Sequence, residues 1–218
     1  MKIIAINASP RKEWNTAKLL SYSLEGALSK GANTQLIHLY DVDFKGCKSC
    51  FSCKKKGSKS LGKCSCKDGL TPILETIEKS DGLILGSPCY LGTPVGAMHS
   101  FLERLIYPYV SYDQDITTYC NKKMPVGFIY TMNANEERMK NVGFDQPVRH
   151  IANILKEHFG YSEWLLVNDT YQFDDYSQYF ASKHDLQAKE KRLNEVFPLE
   201  CTKAYEMGAR FAAGLDIT

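Results

Sequence analysis

Cys47, Cys50 and Cys53 stand at two-residue gaps, and Cys64 and Cys66 follow after ten intervening residues. Three thiols at that spacing wrap one metal centre from a single loop. Cys64 or Cys66 can then supply the fourth ligand of a [4Fe–4S] cluster or of tetrahedral zinc. The surrounding segment 45–67 holds eight lysines and no acidic residue, a positive field that lowers thiol pKa values and offsets the charge of a thiolate-bound centre. A cluster, a zinc ion and an unmetallated loop all remain open on spacing alone.

A second constellation is Ser9-Pro10-Arg11-Lys12-Glu13-Trp14-Asn15-Thr16, between the apolar run Ile3–Ile6 and a helical pattern. A buried strand feeding a helix N-terminus through a polar turn makes an anion site, because the first helical N–H groups are unpaired and the dipole favours negative charge. Ser9, Asn15 and Thr16 can hydrogen-bond phosphate oxygens, and Arg11 can add a bidentate contact. The segment is neither a glycine-rich dinucleotide fingerprint nor a P-loop. A single phosphate fits it better than a nucleoside triphosphate.

The elements that must position these groups alternate along the chain. Strand-like runs lie at Lys2–Asn7, Thr34–Leu39, Gly82–Ser87, Val126–Thr131 and Glu163–Val167. Between them, Leu20, Leu24, Ala27 and Leu28 form one helical stripe, and Leu70, Ile73, Leu74 and Ile77 a second. Met98, Phe101, Leu102 and Leu105 form a third, and Val148, Ile151, Ala152, Leu155 and Phe159 a fourth. This pattern predicts an α/β fold, a three-layer sandwich with a five-stranded parallel sheet of order 2-1-3-4-5 and helices on both faces. The whole of 1–218 reads as one domain. Segment 45–67 is an insertion between the second strand and second helix, and a C-terminal helical extension from about residue 183 breaks before Pro198.

In that strand order the ligand crevice opens beyond strands 1 and 3. After strand 3 comes Ser87-Pro88-Cys89-Tyr90-Leu91-Gly92-Thr93-Pro94, which presents backbone N–H groups and a flat apolar face. After strand 4 comes Thr131-Met132-Asn133-Ala134-Asn135, able to cover the same ring from its other side. A phosphate cradle beside two ring-binding loops points to a flat mononucleotide.

The Ser-Pro-Arg-x-x-x-Asn-Thr turn and the Ser-Pro-x-Tyr-x-Gly loop, with Phe101, Leu102 and Arg104 on the next helix, resemble the flavodoxin-like NAD(P)H-dependent FMN reductases. Within that family, Gly46-Cys47-x-x-Cys50-x-x-Cys53 resembles the cysteine segment of the iron–sulfur flavoproteins. The resemblance extends to about residue 180. It implies FMN, with its phosphate on Ser9, Arg11, Asn15 and Thr16. It also implies an isoalloxazine ring against Pro88, Cys89, Tyr90, Leu91 and Gly92, with Thr131, Met132 and Asn133 nearby, and NAD(P)H as co-substrate. For a [4Fe–4S] cluster it implies Cys47, Cys50, Cys53 and Cys64. The chain departs from the family twice: the Met132-Asn133 loop lacks a glycine pair, and the gap before Cys64 is long.

Three functions follow as expectations. The first is an FMN-dependent oxidoreductase acting on a small-molecule electron acceptor such as a quinone, a free flavin or a nitro compound, with no obligatory acid or base. The second is an iron–sulfur flavoprotein exchanging electrons with a ferredoxin-type carrier. The third, a zinc module on nucleic acid, is the weakest, because the basic residues are confined to one loop without interleaved aromatics. The lysines are either a solvated loop or, through Lys54, Lys55 and Lys56, a guide for the NADPH phosphate or an acidic partner. His38, His99, His150, His158 and His184 are scattered.

With 218 residues, 44% hydrophobic and 24% charged, the chain has ordinary globular composition, and its net charge of +2 names no partner. The absence of any long apolar run predicts no membrane partner, and reduced cysteines fit a cytoplasmic protein. Tyr107, Tyr109, Tyr112 and Tyr119, and then Tyr171, Phe173, Tyr176, Tyr179 and Phe180, crowd two loops. They either cover a sheet edge of their own subunit or support a homodimer or higher homo-oligomer.

Overall fold

Ile3, Ile4, Ala5 and Ile6 are all fully buried, as a parallel strand covered on both faces requires. In the computed structural model, which describes residues 1–215, they form β1 (Lys2–Asn7), followed by α1 (Asn15–Ser29), β2 (Asn33–His38), α2 (Thr71–Glu78) and β3 (Gly82–Tyr90). Next come β4 (Thr93–Pro94), α3 (Gly96–Ile106), β5 (Met124–Thr131), α4 (Glu136–Val142), α5 (Gln146–Phe159), β6 (Gly160–Val167), α6 (Leu186–Glu195) and α7 (Phe197–Ala213). The long strands pair in parallel in the order β2-β1-β3-β5-β6, which is the flavodoxin-like order expected. The short β4, which periodicity cannot reveal, folds back antiparallel on the end of β3, pairing Thr93 with Tyr90.

Two cores flank the sheet. On one face Ile4, Ile6, Leu83, Leu85, Val126 and Phe128 pack against α2, α3 and α5. On the other, Ile3, Ala5, Ile84 and Ile129 pack against α1 and α7 through Leu20, Met207 and Phe211. The chain after residue 183 holds α6 and α7, and α7 forms half of one covering layer. Its contact with α1 is so close that a Cβ on Gly208 would lie 1.7 Å from the Ser23 carbonyl oxygen, and one on Gly26 1.9 Å from that of Tyr205. Polarity kept this role hidden, since α7 carries Glu200, Lys203, Glu206 and Arg210 among its apolar residues.

The cysteine segment lies across α3 without helix or strand of its own. Glu103 accepts the Cys47 N–H at 2.8 Å. Lys54 donates to the carbonyls of Tyr107, Pro108 and Val110 at the α3 C-terminus, where a cation meets the negative end of the dipole. Lys54 is thus used inside the fold, and only Lys55 and Lys56 of the expected guide remain exposed.

Many of the loop aromatics pack within the subunit. Tyr109 meets Phe159 edge to face, Phe173 stacks on Tyr179 with centroids 3.9 Å apart, and Tyr176 is buried against Tyr171 and Phe173. Tyr112 and Phe180 stay exposed. Among the described residues, no helix is long and apolar enough to cross a membrane.

His158, buried at the end of α5, hydrogen-bonds Thr118 Oγ1 through Nδ1 at 2.8 Å. Burial, with lesser contributions from Lys123 and Lys54 against Glu157, pushes its pKa below the ordinary histidine value. The unfolded chain then binds that proton more readily than the folded one. Stability is complete above the unfolded value of about 6.5 and falls as the pH drops below it, by up to about 1.4 kcal/mol per pH unit. Urea unfolding at pH 7.5 and 5.5 should show a smaller acid loss in His158→Gln than in the wild type, and equal losses would contradict the assignment.

Candidate functional site

The turn after β1 is built before any ligand arrives. Asn7 Oδ1 accepts the Ser9 N–H at 2.8 Å, and Ser9 Oγ accepts the Arg11 N–H at 3.1 Å. The α1 N-terminus begins at Trp14–Asn15 with no side-chain cap and no acidic residue in its first turn. Gly86 on β3 lets α1 approach, for a Cβ there would meet Leu20 at 2.6 Å and Thr16 at 2.9 Å. Thr16 Oγ1 then reaches Thr131 Oγ1 at 2.8 Å, tying helix to β5.

After β3, Leu91 and Gly92 have φ of 53° and 85°, the pair of positive values a two-residue hairpin turn needs. Gly92 is required twice, because Phe144 atoms lie 3.1 Å from where its Cβ would stand. Leu91, fully exposed at the tip, carries the strain of the left-handed region, about 1–2 kcal/mol.

Two adjoining cavities result. One of about 380 Å³ is lined by Ser9, Arg11, Asn15, Thr16, Pro88, Cys89, Tyr90, Thr131, Met132 and Asn133. The other, of about 630 Å³, shares Cys89, Met132 and Asn133 and adds Leu91 and Gly92. Every residue expected around the mononucleotide faces one or both. The set fits FMN: an uncapped helix N-terminus with Arg11 suits the phosphate, and Tyr90 and Trp14 flank an elongated space. Tyr130, fully buried, keeps a hydroxyl with no hydrogen-bond partner among the described residues, beside the Cys89 thiol that burial pushes up.

Sequence reasoning singled out the β6 loop for its aromatics but not its contacts with the turn after β1, and it gave α6 no part in the site. The Tyr171 carbonyl accepts Trp14 Nε1 at 3.1 Å and Asn15 Nδ2 at 2.8 Å, and Gln172 O accepts Arg11 Nη1 at 2.6 Å. Thr170, Gln172 and Phe173 complete the smaller cavity wall. Lys189 of α6, buried, donates to Asp169 Oδ1 at 2.6 Å and Asn133 Oδ1 at 2.7 Å. It pins the β5 and β6 loops together and occupies the Asn133 side chain. Tyr171 and Phe173 stood out only as members of an aromatic loop, and no local signal marks Thr170, Gln172 or Lys189, since each arrives through a long-range connection.

The cysteines converge elsewhere. Cys47, Cys50, Cys53, Cys64 and Cys66 line one small, largely enclosed cavity with Arg104 and Tyr107. Among the described residues no three His, Cys, Asp or Glu side chains sit at metal-holding spacing. The thiols therefore share one cavity without being preassembled. In donor type and number they fit a thiolate-held centre. Burial raises the Cys53 thiol pKa against the pull of Lys54.

A family model described as NADPH-dependent FMN reductase matches residues 1–139. The chain is 36% identical over 104 residues to an iron-sulfur flavoprotein of Archaeoglobus fulgidus, covering 48% of each chain. It is 34% identical over 146 residues to an iron-sulfur flavoprotein of Clostridioides difficile, covering 61% of each. In these alignments the chain spans about half the length of the curated relatives it matches. Among solved structures it superposes on an azoreductase from Bacillus anthracis with a TM-score of 0.68 at 12% identity, covering 96% of this chain and 99% of that one. An NAD(P)H:quinone oxidoreductase from Methanothermobacter marburgensis gives 0.65 at 13% identity, covering 96% and 94%. At those identities the likeness is one of fold.

Proposed function

The chain belongs to the NADPH-dependent FMN reductase family, and from that premise we propose that it is an FMN-dependent oxidoreductase passing reducing equivalents from NAD(P)H to a flat acceptor such as a quinone. The observation that carries this reading is the convergence of the phosphate turn, the hairpin loop and the β5 loop on two adjoining cavities. When bound, FMN supplies the hydride acceptor and the one- or two-electron donor. The protein supplies the rest. Ser9, Arg11, Asn15 and Thr16 with the α1 N-terminus hold the phosphate. Pro88, Cys89, Tyr90, Leu91 and Gly92 border the ring and exclude water from one side. Thr131, Met132 and Asn133, clamped by Lys189, close the other, and the larger cavity leaves room for a co-substrate.

A second reading is favoured by the five convergent thiols: a [4Fe–4S] centre on Cys47, Cys50, Cys53 and Cys64 that exchanges electrons with a ferredoxin-type carrier. Both readings are tested by the anaerobic absorption spectrum and by NADPH oxidation with a soluble quinone. Two flavin bands with steady NADPH consumption support the first. Flavin bands on a broad brown shoulder, with reduction by a carrier and not by NADPH, support the second. No flavin uptake on incubation with FMN overturns both.

A further inference from the structure

Arg104 lies on α3 beside Glu103, between the core residues Phe101, Leu102 and Leu105. The cysteine segment covers that side of the helix, and Arg104 is only 2% exposed. A guanidinium stays charged at any accessible pH, so burying it is costly unless every donor is satisfied. Here the fork is fully used. Nη1 donates to Asp68 Oδ2 and to the Lys45 carbonyl, each at 2.8 Å. Nη2 donates to Asp68 Oδ1 at 3.1 Å and to the Cys66 carbonyl at 3.4 Å. The remaining donor, Nε, points at Cys64 Sγ at 2.8 Å.

One side chain thus ties together both ends of the cysteine segment, residue 45 and residues 64–68, and places a fixed positive charge on one sulfur. Sulfur is a weak acceptor, yet the guanidinium is aimed at this one sulfur of the five. Cys66, by contrast, lends Arg104 only its backbone carbonyl. The asymmetry marks Cys64 as the sulfur that Arg104 orients and leaves Cys66 aside.

We propose that Arg104 is a positioning residue of the cysteine centre: it clasps the segment, presents Cys64 as the fourth ligand, and sets the reduction potential of the centre through its charge-assisted hydrogen bond to the Cys64 sulfur. The inference rests on the cluster reading. Net charge and hydrogen bonds to sulfur are the levers by which a protein tunes such a centre. A cation at the sulfur favours the extra electron, so Arg104 raises the potential. Asp68, which partly neutralises that cation, lowers it.

The experiment is anaerobic reconstitution of the FMN-loaded full chain with iron and sulfide, followed by an EPR-monitored redox titration. Wild type, Arg104→Met, Arg104→Lys and Asp68→Asn are compared, with iron and sulfide counted per chain. Arg104→Met should shift the potential negative, Arg104→Lys should restore part of the shift, and Asp68→Asn should shift it positive. FMN affinity should stay within twofold throughout. Opposite signs in Arg104→Met and Asp68→Asn separate electrostatic control from a merely structural clasp, which would move both the same way or empty both. Should Arg104→Met fail to load, the sign in Asp68→Asn decides. Loaded variants with the wild-type potential overturn the proposal while leaving the cluster in place. A wild type that takes up no iron overturns the cluster reading and this inference with it.

Discussion

Gly208→Ala costs the protein about 2 kcal/mol or more of stability, although alanine is the better helix former. Two effects oppose each other at this position. Replacing an interior helical glycine by alanine gains about 1 kcal/mol of intrinsic propensity. The added Cβ, however, would stand 1.7 Å from the Ser23 carbonyl oxygen and 2.6 Å from its carbon. Both are backbone atoms that no rotamer change can move. The helices must separate, and because α1 and α7 together cover one face of the sheet, the separation loosens the packing of Leu20, Met207 and Phe211. Overpacking of this kind costs about 3 kcal/mol when the neighbour is rigid, so the clash outweighs the propensity. In a chain of this size, a loss of about 2 kcal/mol lowers Tm by roughly 4–8 °C. Gly26→Ala, facing Tyr205 from the other helix, should behave alike. Gly96→Ala, where an added Cβ meets nothing within 4 Å, should be neutral or stabilising. A Gly208→Ala protein as stable as the wild type would refute the α1–α7 contact.

Asn15→Asp should abolish most FMN binding at a modest cost to the fold. The two side chains are nearly isosteric, and a carboxylate in the first turn of a helix gains about 0.3–1 kcal/mol from the dipole. That gain offsets part of the cost at the Tyr171 carbonyl, which accepts from Asn15 Nδ2 and faces an acceptor-only carboxylate in the variant, about 1–3 kcal/mol. The new charge faces the cavity assigned to the phosphate. Two unit charges 4 Å apart near a protein surface repel by about 4 kcal/mol. Even half of that weakens binding roughly 30-fold, and a phosphate near its dianionic state brings the loss to about a hundredfold or more. Riboflavin, which lacks the phosphate, should bind variant and wild type equally. Fluorescence titration with both ligands checks this. An equal loss for riboflavin would mean that Asn15 acts on the ring or the fold rather than on the phosphate.

The sequence carried the sheet because its strands are buried on both faces. Continuous apolar runs mark such strands directly, and the run 2–7 coincides with β1 at both ends. Local chemistry was equally legible where one contiguous turn makes the site, as from Ser9 to Thr16. It failed where a residue acts through a distant partner. Arg104 stood out only as part of a family-like helix, with no sign of its partners in the cysteine segment, and Lys189 sits in a helix too polar to suggest a buried ammonium.

The amino-acid sequence by itself therefore determined the α/β sandwich, its strand order, the phosphate turn and the thiol-rich loop, because each is written in the periodicity or spacing of neighbouring residues. Only the tertiary structure decided that α7 forms half of a covering layer and that the β6 loop walls the smaller cavity beside the turn after β1. It alone placed Arg104 at the hub of the cysteine segment. The physical reason is shared by all three: burial of a charge or a glycine contact depends on what packs against it, and that partner is dozens of residues away in the chain.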